Sequence, residues 1–252
     1  MNISRRLQKI ADYIPARCRM ADIGSDHALL PIYLVQEKNI SFAVAGELNA
    51  GPYQAARDNV EKAGLSDKIQ VRQGDGLSVV KAGEVDAVVI AGMGGKLICR
   101  ILDEGKNKLE SAQHLILQPN VGESFVREWL RQHGWFLQDE ALLEEDGHFY
   151  EILFASKLPD ATELNEQLYR EWKHRCGLVI THSMMIKVGP YLLRNPSAVL
   201  LKKWMRELEK CKRIDQQLEQ ASQEQSRQKR MQLKEEMDEL EAVIQCMQTA
   251  KL

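Results

Sequence analysis

The stretch Ala21-Asp22-Ile23-Gly24-Ser25-Asp26-His27 decides how this chain is read. It closes a short apolar run over 20–23 with a glycine turn and leads into an apolar, helix-patterned segment over 27–36. Strand, glycine turn and helix in that order form the ligand-binding corner of a doubly wound sheet. Gly24 lets the backbone pass close beneath a ligand, where a side chain would block it. The turn is not the G-x-G-x-x-G of pyrophosphate binders, because Asp26 and Leu29 stand where the second and third glycines would be. A pyrophosphate would meet the carboxylate of Asp26 and be repelled. A cationic ligand is favoured instead, which argues against a nicotinamide-dependent oxidoreductase.

Outward from this turn, apolar runs over 42–46, 69–73, 85–90 and 115–118 alternate with helical patterns over 52–62, 96–104 and 123–133. Such alternation predicts an α/β fold with a parallel, doubly wound sheet. Two further runs, 136–143 and 150–155, flank Glu144-Glu145-Asp146-Gly147-His148, a turn signal that predicts an antiparallel pair. A doubly wound sheet finished by an antiparallel pair is the shape of a Rossmann-like class I methyltransferase domain, assigned to residues 1–160.

The strand ends carry chemistry suited to an adenosyl ligand. Glu47, followed by Leu48, ends the second strand, where an acid can accept hydrogen bonds from both ribose hydroxyls. Asp75 and Gly76 end the third, where an acid faces an adenine amino group. Ala91-Gly92-Met93-Gly94-Gly95 ends the fourth and opens the sheet edge. S-adenosylmethionine carries a sulfonium and an amino group, so acids around the first turn suit it as the cofactor. Its expected binding residues are Asp22, Gly24, Ser25, Asp26, His27, Glu47, Leu48, Asp75, Gly76, Ala91, Gly92, Met93 and Gly94. At the fifth strand, Gln118 and Asn120 are amides that can read a base edge. His148, Phe149 and Tyr150 follow the later turn, where aromatics can stack on an extracted base. The candidates for catalysis are Asp26, His27, Gln118, Asn120, His148 and Tyr150.

Beyond Pro159 the pattern changes. No glycine or proline occurs from 197 to 252, and apolar residues recur at heptad spacing. One set is Leu201, Trp204, Leu208, Cys211 and Leu218, and a second is Leu233, Met237, Leu240, Ile244 and Met247. A polar stretch separates the two sets. Residues 161–252 are read as a C-terminal α-helical coiled-coil hairpin. The alternative is one continuous helix that dimerises, so monomer and homodimer both stay open.

The net charge of -2 carries no global signal for nucleic acid. A local basic cluster, Lys202, Lys203, Arg206, Lys210, Lys212 and Arg213, marks the helical region as the part that would grip RNA. Cys18, Cys99, Cys176, Cys211 and Cys246 form no CxxC and have no histidine at metal-ligand spacing, so reduced thiols and no metal are expected. No apolar run reaches membrane-spanning length, and a cytoplasmic protein is expected, with no membrane partner.

With these residues in view, the chain resembles the bacterial tRNA (adenine-N1)-methyltransferases acting on position 22 of tRNA, the TrmK family. The match covers nearly the whole length. It includes RL-x-x-I-A-x-Y-I-P from Arg6, A-D-I-G-S-D-H-A-x-L-P from Ala21, A-G-M-G-G from Ala91, Q-P-N from Gln118 and G-H-F-Y-E from Gly147. The resemblance implies a tRNA partner and adenine N1 as the acceptor. It also fits the fourth strand end, where many amino-methylating enzymes carry [DN]-P-P-[YF] to orient an exocyclic amine. A ring nitrogen already offers an in-plane lone pair and needs positioning more than activation. The competing readings are a methyltransferase for a small molecule or protein, and an inert adenosyl-binding scaffold.

Overall fold

The computed structural model describes residues 2–219 and 224–249. It divides into two compact units, Met1–Gln167 and Leu168–Leu252. Among the described residues, no helix is long and apolar enough to cross a membrane.

The first unit is built on a seven-stranded sheet. Its strands are β1 (Arg19–Ile23), β2 (Phe42–Glu47), β3 (Ile69–Gln73), β4 (Ala87–Gly94), β5 (His114–Val121), β6 (Phe136–Glu145) and β7 (His148–Ser156). Their order is β3-β2-β1-β4-β5-β7-β6. The first five pair in parallel, and β7 is antiparallel to both β5 and β6. Parallel strands covered on both faces need continuous apolar runs. Val88, Val89 and Ile90 of β4 and Leu115, Ile116 and Leu117 of β5 meet that need, and all six are fully buried. Chain order reverses between β1 and β4, so their carboxyl ends diverge into a crevice.

The helices of this unit are α1 (Arg5–Asp12), α2 (Leu29–Glu37), α3 (Ala50–Lys62), α4 (Gly95–Glu104), α5 (Glu123–Gln132) and α6 (Ala161–Leu168). α1 is fastened to the antiparallel strands at both ends. Ser4 caps it by accepting from the Leu7 amide, and Glu145 of β6 accepts from the amides of Arg5 (2.7 Å) and Arg6 (3.1 Å). At the other end the Tyr13 hydroxyl donates to Asp139 at 2.8 Å. α5 delivers Arg127, fully buried, into contact with Glu140 (2.6 Å) and Glu151 on β6 and β7. Three charges buried together are stable only while each is paired.

Beyond small shifts of element ends, two differences from the sequence expectation bear on the cleft edge. α2 begins at Leu29 rather than 27, because Asp26, His27 and Ala28 all have positive φ (35°, 66° and 57°). Three successive left-handed residues other than glycine make a strained turn, costing on the order of 1–3 kcal/mol each. β4 and β5 also run several residues past their apolar cores, to Gly94 and Val121, carrying the polar strand ends with them.

The second unit contains β8 (Trp172–Lys173) paired antiparallel with β9 (Val179–Ile180), then α7 (His182–Val188), α8 (Pro190–Arg194), α9 (Ala198–Glu219) and α10 (Glu224–Thr249). Gly189, at φ 109°, with Pro190 after it separates α7 from α8. α9 and α10 pair through ions: Lys212 with Glu241 (2.7 Å) and Arg230 with Asp215 (2.8 Å) and Glu219 (2.6 Å). Trp204, Cys211, Leu240, Ile244 and Met247 from the two heptad sets are buried. Residues 220–223, inside the polar stretch between those sets, lie outside the described residues.

One expectation is overturned in this unit. Cys176 and Cys246 are joined by a disulfide across 70 residues, so these two are not the reduced thiols expected from spacing. Spacing alone is blind to the pairing, because the turn after β8 and the end of α10 meet only through tertiary packing. Cys18, Cys99 and Cys211 are free thiols.

Candidate active site

The carboxyl ends of β1 and β4 face each other across a cleft of about 340 Å³. Its lining includes Asp22, Gly24, Ser25 and Asp26 on one side, and Ala91, Gly92 and Met93 on the other. Asn120, Tyr150, Arg6, Leu7, Leu29 and Leu30 complete the lining.

The β1 side is an acid held in a preformed turn. Asp22 is nearly buried and accepts a hydrogen bond from Ser25 Oγ at 2.7 Å. Burial pushes its carboxyl up to about 6, the Ser25 bond and the Arg6 charge work against that rise, and the nearby Glu47 and Asp26 charges add to it. The amides of Gly24 and Ser25 donate to the Gly46 carbonyl, and the Asp26 amide donates to Glu47 Oε1 at 2.6 Å. Glu47 is therefore partly engaged in holding the strained turn. Gly24 sits at φ 72°, and a Cβ there would run into the Met93 methyl across the cleft. The glycine thus has both a conformational and a packing reason.

The β4 and β5 side is a closed amide network. Buried Gln118 accepts through Oε1 from Arg6 Nη1 (2.7 Å) and from the Gly92 amide (3.2 Å). Its own amide donates to Asn120 Oδ1 at 3.0 Å, and Asn120 Nδ2 donates to the Gly92 carbonyl at 2.8 Å. Gly92 has φ 77°, the conformation in which both its N–H and C=O serve this network. Arg6 also lies over the Tyr150 ring, 5.3 Å from its centroid. Gly95 starts α4 so close to the turn after β5 that a Cβ would collide with the Gly122 carbonyl.

The structure brings nine of the expected site residues into one cleft: Asp22, Gly24, Ser25, Asp26, Ala91, Gly92, Met93, Asn120 and Tyr150. Gln118 lies directly behind it. The rest are placed elsewhere. His27 is half-exposed, 3.4 Å from Asp26, and does not line the cleft. His148 is exposed, its ring 6.4 Å from that of Tyr150. Leu48 is exposed, Gly94 serves as the cap of α4, and Glu47 acts through the turn. Asp75 lines a separate cleft with Ser78, Ile101 and Lys108, and Gly76 packs near Ile101. Sequence reasoning missed Arg6 as a site residue. It stood in the opening R-L run, but its partner Gln118 is 112 residues away.

The fold and the cleft define the Rossmann-like α/β core of a methyltransferase. More narrowly, the chain belongs to the TrmK family, tRNA (adenine(22)-N(1))-methyltransferase, whose model matches residues 20–242. It is 46% identical over 245 residues to the tRNA (adenine(22)-N(1))-methyltransferase of Bacillus subtilis, covering 97% of this chain and 98% of that protein. The crystal structure of the B. subtilis m1A22 tRNA methyltransferase TrmK superposes with a TM-score of 0.85, covering 96% of this chain and 99% of that one. A Streptococcus pneumoniae protein described as a putative tRNA (m1A22) methyltransferase, in complex with S-adenosyl-L-methionine, is 37% identical. It superposes with a TM-score of 0.78 over 96% of this chain and all of that one (100%).

Proposed function

We propose that this chain transfers the methyl group of S-adenosylmethionine to N1 of adenine 22 in tRNA. The observation that carries the proposal is the acid-bearing glycine turn at Asp22–Asp26 facing the Ala91–Gly94 turn across one cleft. The donor set suits the cofactor. Two carboxylates complement its positive charge, and Gly24 leaves a cradle that a Cβ would fill. Asp22 and Asp26 would hold the methionine end. Glu47, at the end of the neighbouring β2, would extend the site toward ribose; Asp75, at the end of β3, lines a separate cleft, and its part in holding adenine is supported by strand order alone.

When bound, S-adenosylmethionine supplies an electrophilic methyl carbon. The chain's own residues orient the acceptor. Asn120 and Gln118 present amides fixed by Gly92 and Arg6, and Tyr150, backed by Arg6, offers a face for a base. N1 attacks with its ring lone pair and loses no proton, so none of Asp26, His27 or His148 is required as a base. Holding N1 in line with the methyl carbon at about 3 Å supplies much of the rate.

The second unit is read as a helical coiled-coil hairpin, α9 against α10, that grips the tRNA body. The buried apolar seam and the ion pairs between the helices support the hairpin. The basic cluster is partly spent on ion pairs, since Lys210 meets Glu207 within α9 and Lys212 meets Glu241 of α10. The decisive test is incubation of labelled S-adenosylmethionine with unmodified tRNA, followed by nucleoside mapping. Label in 1-methyladenosine at position 22 is expected; label elsewhere or nowhere would refute the proposal.

A further inference from the structure

Outside the cleft, the second unit gathers three soft donors. His174 Nδ1, Cys176 Sγ and Cys246 Sγ all lie within 4.8 Å of one another. His174 and Cys176 flank the start of the turn between β8 and β9, and Cys246 projects from the last turns of α10. The Cys176 amide donates to His174 Nδ1 at 3.3 Å, a hydrogen bond that a cation taking this nitrogen would displace. The same nitrogen is 3.0 Å from Cys246 Sγ. Two sulfurs and one imidazole nitrogen form the donor set that zinc-class ions prefer.

We propose that His174, Cys176 and Cys246 form a redox-gated site for a thiophilic divalent cation of the zinc class. In the oxidised state the two sulfurs are bonded to each other, as the structure shows, and neither can act as a thiolate ligand. A dithiol reductant opens the site. It delivers two electrons to the Sγ–Sγ bond and two protons to the sulfurs, and is itself oxidised to a disulfide. The cation then displaces both thiol protons to solvent and binds two thiolates and the imidazole, leaving a fourth position of the tetrahedron for water.

The geometry permits this opening. Zinc bonds of about 2.0–2.3 Å place tetrahedral donors roughly 3.3–3.8 Å apart, and the three donor atoms already lie within 4.8 Å of one another. Cys246 is buried and fixed on its helix. Cys176 is exposed in a turn with Gly177 at φ 94°, so an adjustment on its side disturbs no core packing. In either state the link ties the β8–β9 turn to α10 across 70 residues of chain. The cation would thus replace the disulfide as the staple of the unit under reducing conditions.

The test uses the full-length chain and cobalt(II) as a spectroscopic probe for zinc. Protein reduced by a phosphine is expected to bind one cobalt per chain, with thiolate-to-cobalt charge transfer and tetrahedral ligand-field bands, and zinc should displace it. Air-oxidised protein should show neither band. Cys176→Ser, whose fold is checked by circular dichroism because it also removes the disulfide, should abolish the charge-transfer bands or weaken binding at least ~100-fold, and His174→Gln should weaken it at least ~10-fold. Cys99→Ser should leave the spectrum unchanged. Absence of the bands in reduced wild type, their persistence in Cys176→Ser, or equal binding by oxidised protein would each overturn the proposal.

Discussion

Replacing Asp22 by asparagine should make the first unit more stable and the enzyme worse. Asp22 is buried, and burial raises its carboxyl to about 6 from an ordinary 3.8. Keeping it ionised at about pH 7 therefore costs the folded state roughly 3 kcal/mol, at about 1.4 kcal/mol per tenfold change in proton affinity. Asparagine keeps an oxygen for the Ser25 hydroxyl and carries no charge, so most of that cost should be relieved. The sign with pH is fixed by linkage. In wild type the raised carboxyl stabilises the fold fully below about pH 4, and that contribution is lost as pH rises through about 6. The variant's advantage should thus be near zero at about pH 4 and grow to about 1–3 kcal/mol above pH 7. Donor affinity should move the other way. Removing a charge-assisted hydrogen bond should weaken S-adenosylmethionine binding by about 1.5–3 kcal/mol, roughly 10- to 100-fold. Urea denaturation from about pH 4 to 8, beside calorimetric titration of the donor, measures both. An advantage flat in pH, or a less stable variant at neutral pH, would refute the electrostatic reasoning. Unchanged donor affinity would refute the site.

Three other perturbations probe separate features of the molecule. Arg127→Leu removes the buried cation that pairs with Glu140 and Glu151 and should destabilise the first unit by about 3–5 kcal/mol in urea denaturation, whereas single surface ion pairs such as Arg131–Glu128 should be worth under about 1 kcal/mol. Arg6→Ala releases Gln118 Oε1 and uncovers the Tyr150 face, so kcat with tRNA should fall about 10- to 100-fold while calorimetric donor affinity changes less than that. Converting Lys202, Lys203 and Arg206 together to glutamine should weaken tRNA binding and lower the slope of log affinity against log salt, by about 0.7–0.9 for each phosphate no longer neutralised; an unchanged slope in filter binding would remove α9 from the RNA interface.

The sheet was legible because its signals are local. Apolar runs set the strands, glycine turns end them, and each turn opens a helix, so the order of elements can be read without knowing what any residue touches. The same locality exposed the strand ends Asp22, Asp26, Gly92, Met93 and Asn120, since the carboxyl edge of a parallel sheet is defined by chain direction. Helix starts were less legible. Nothing in Asp26-His27-Ala28 announces three left-handed residues, because the hydrogen bond from the Asp26 amide to Glu47 that holds the turn comes from the next strand.

By itself the sequence determined the alternating α/β order, the acid in place of a second glycine, and the glycine-rich fourth turn, all properties of contiguous residues. Tertiary structure alone decided that Arg6 reaches Gln118 across 112 residues, that Arg127 joins Glu140 and Glu151 in the core, and that His174 and Cys176 meet Cys246. Those contacts depend on how α1, α5 and α10 pack, and packing minimises exposed apolar area over the whole unit, a quantity no local pattern encodes. The opening turn belongs to both. Its residues named a cationic ligand, but only its burial showed that Asp22 is held ionised against the preference of the fold.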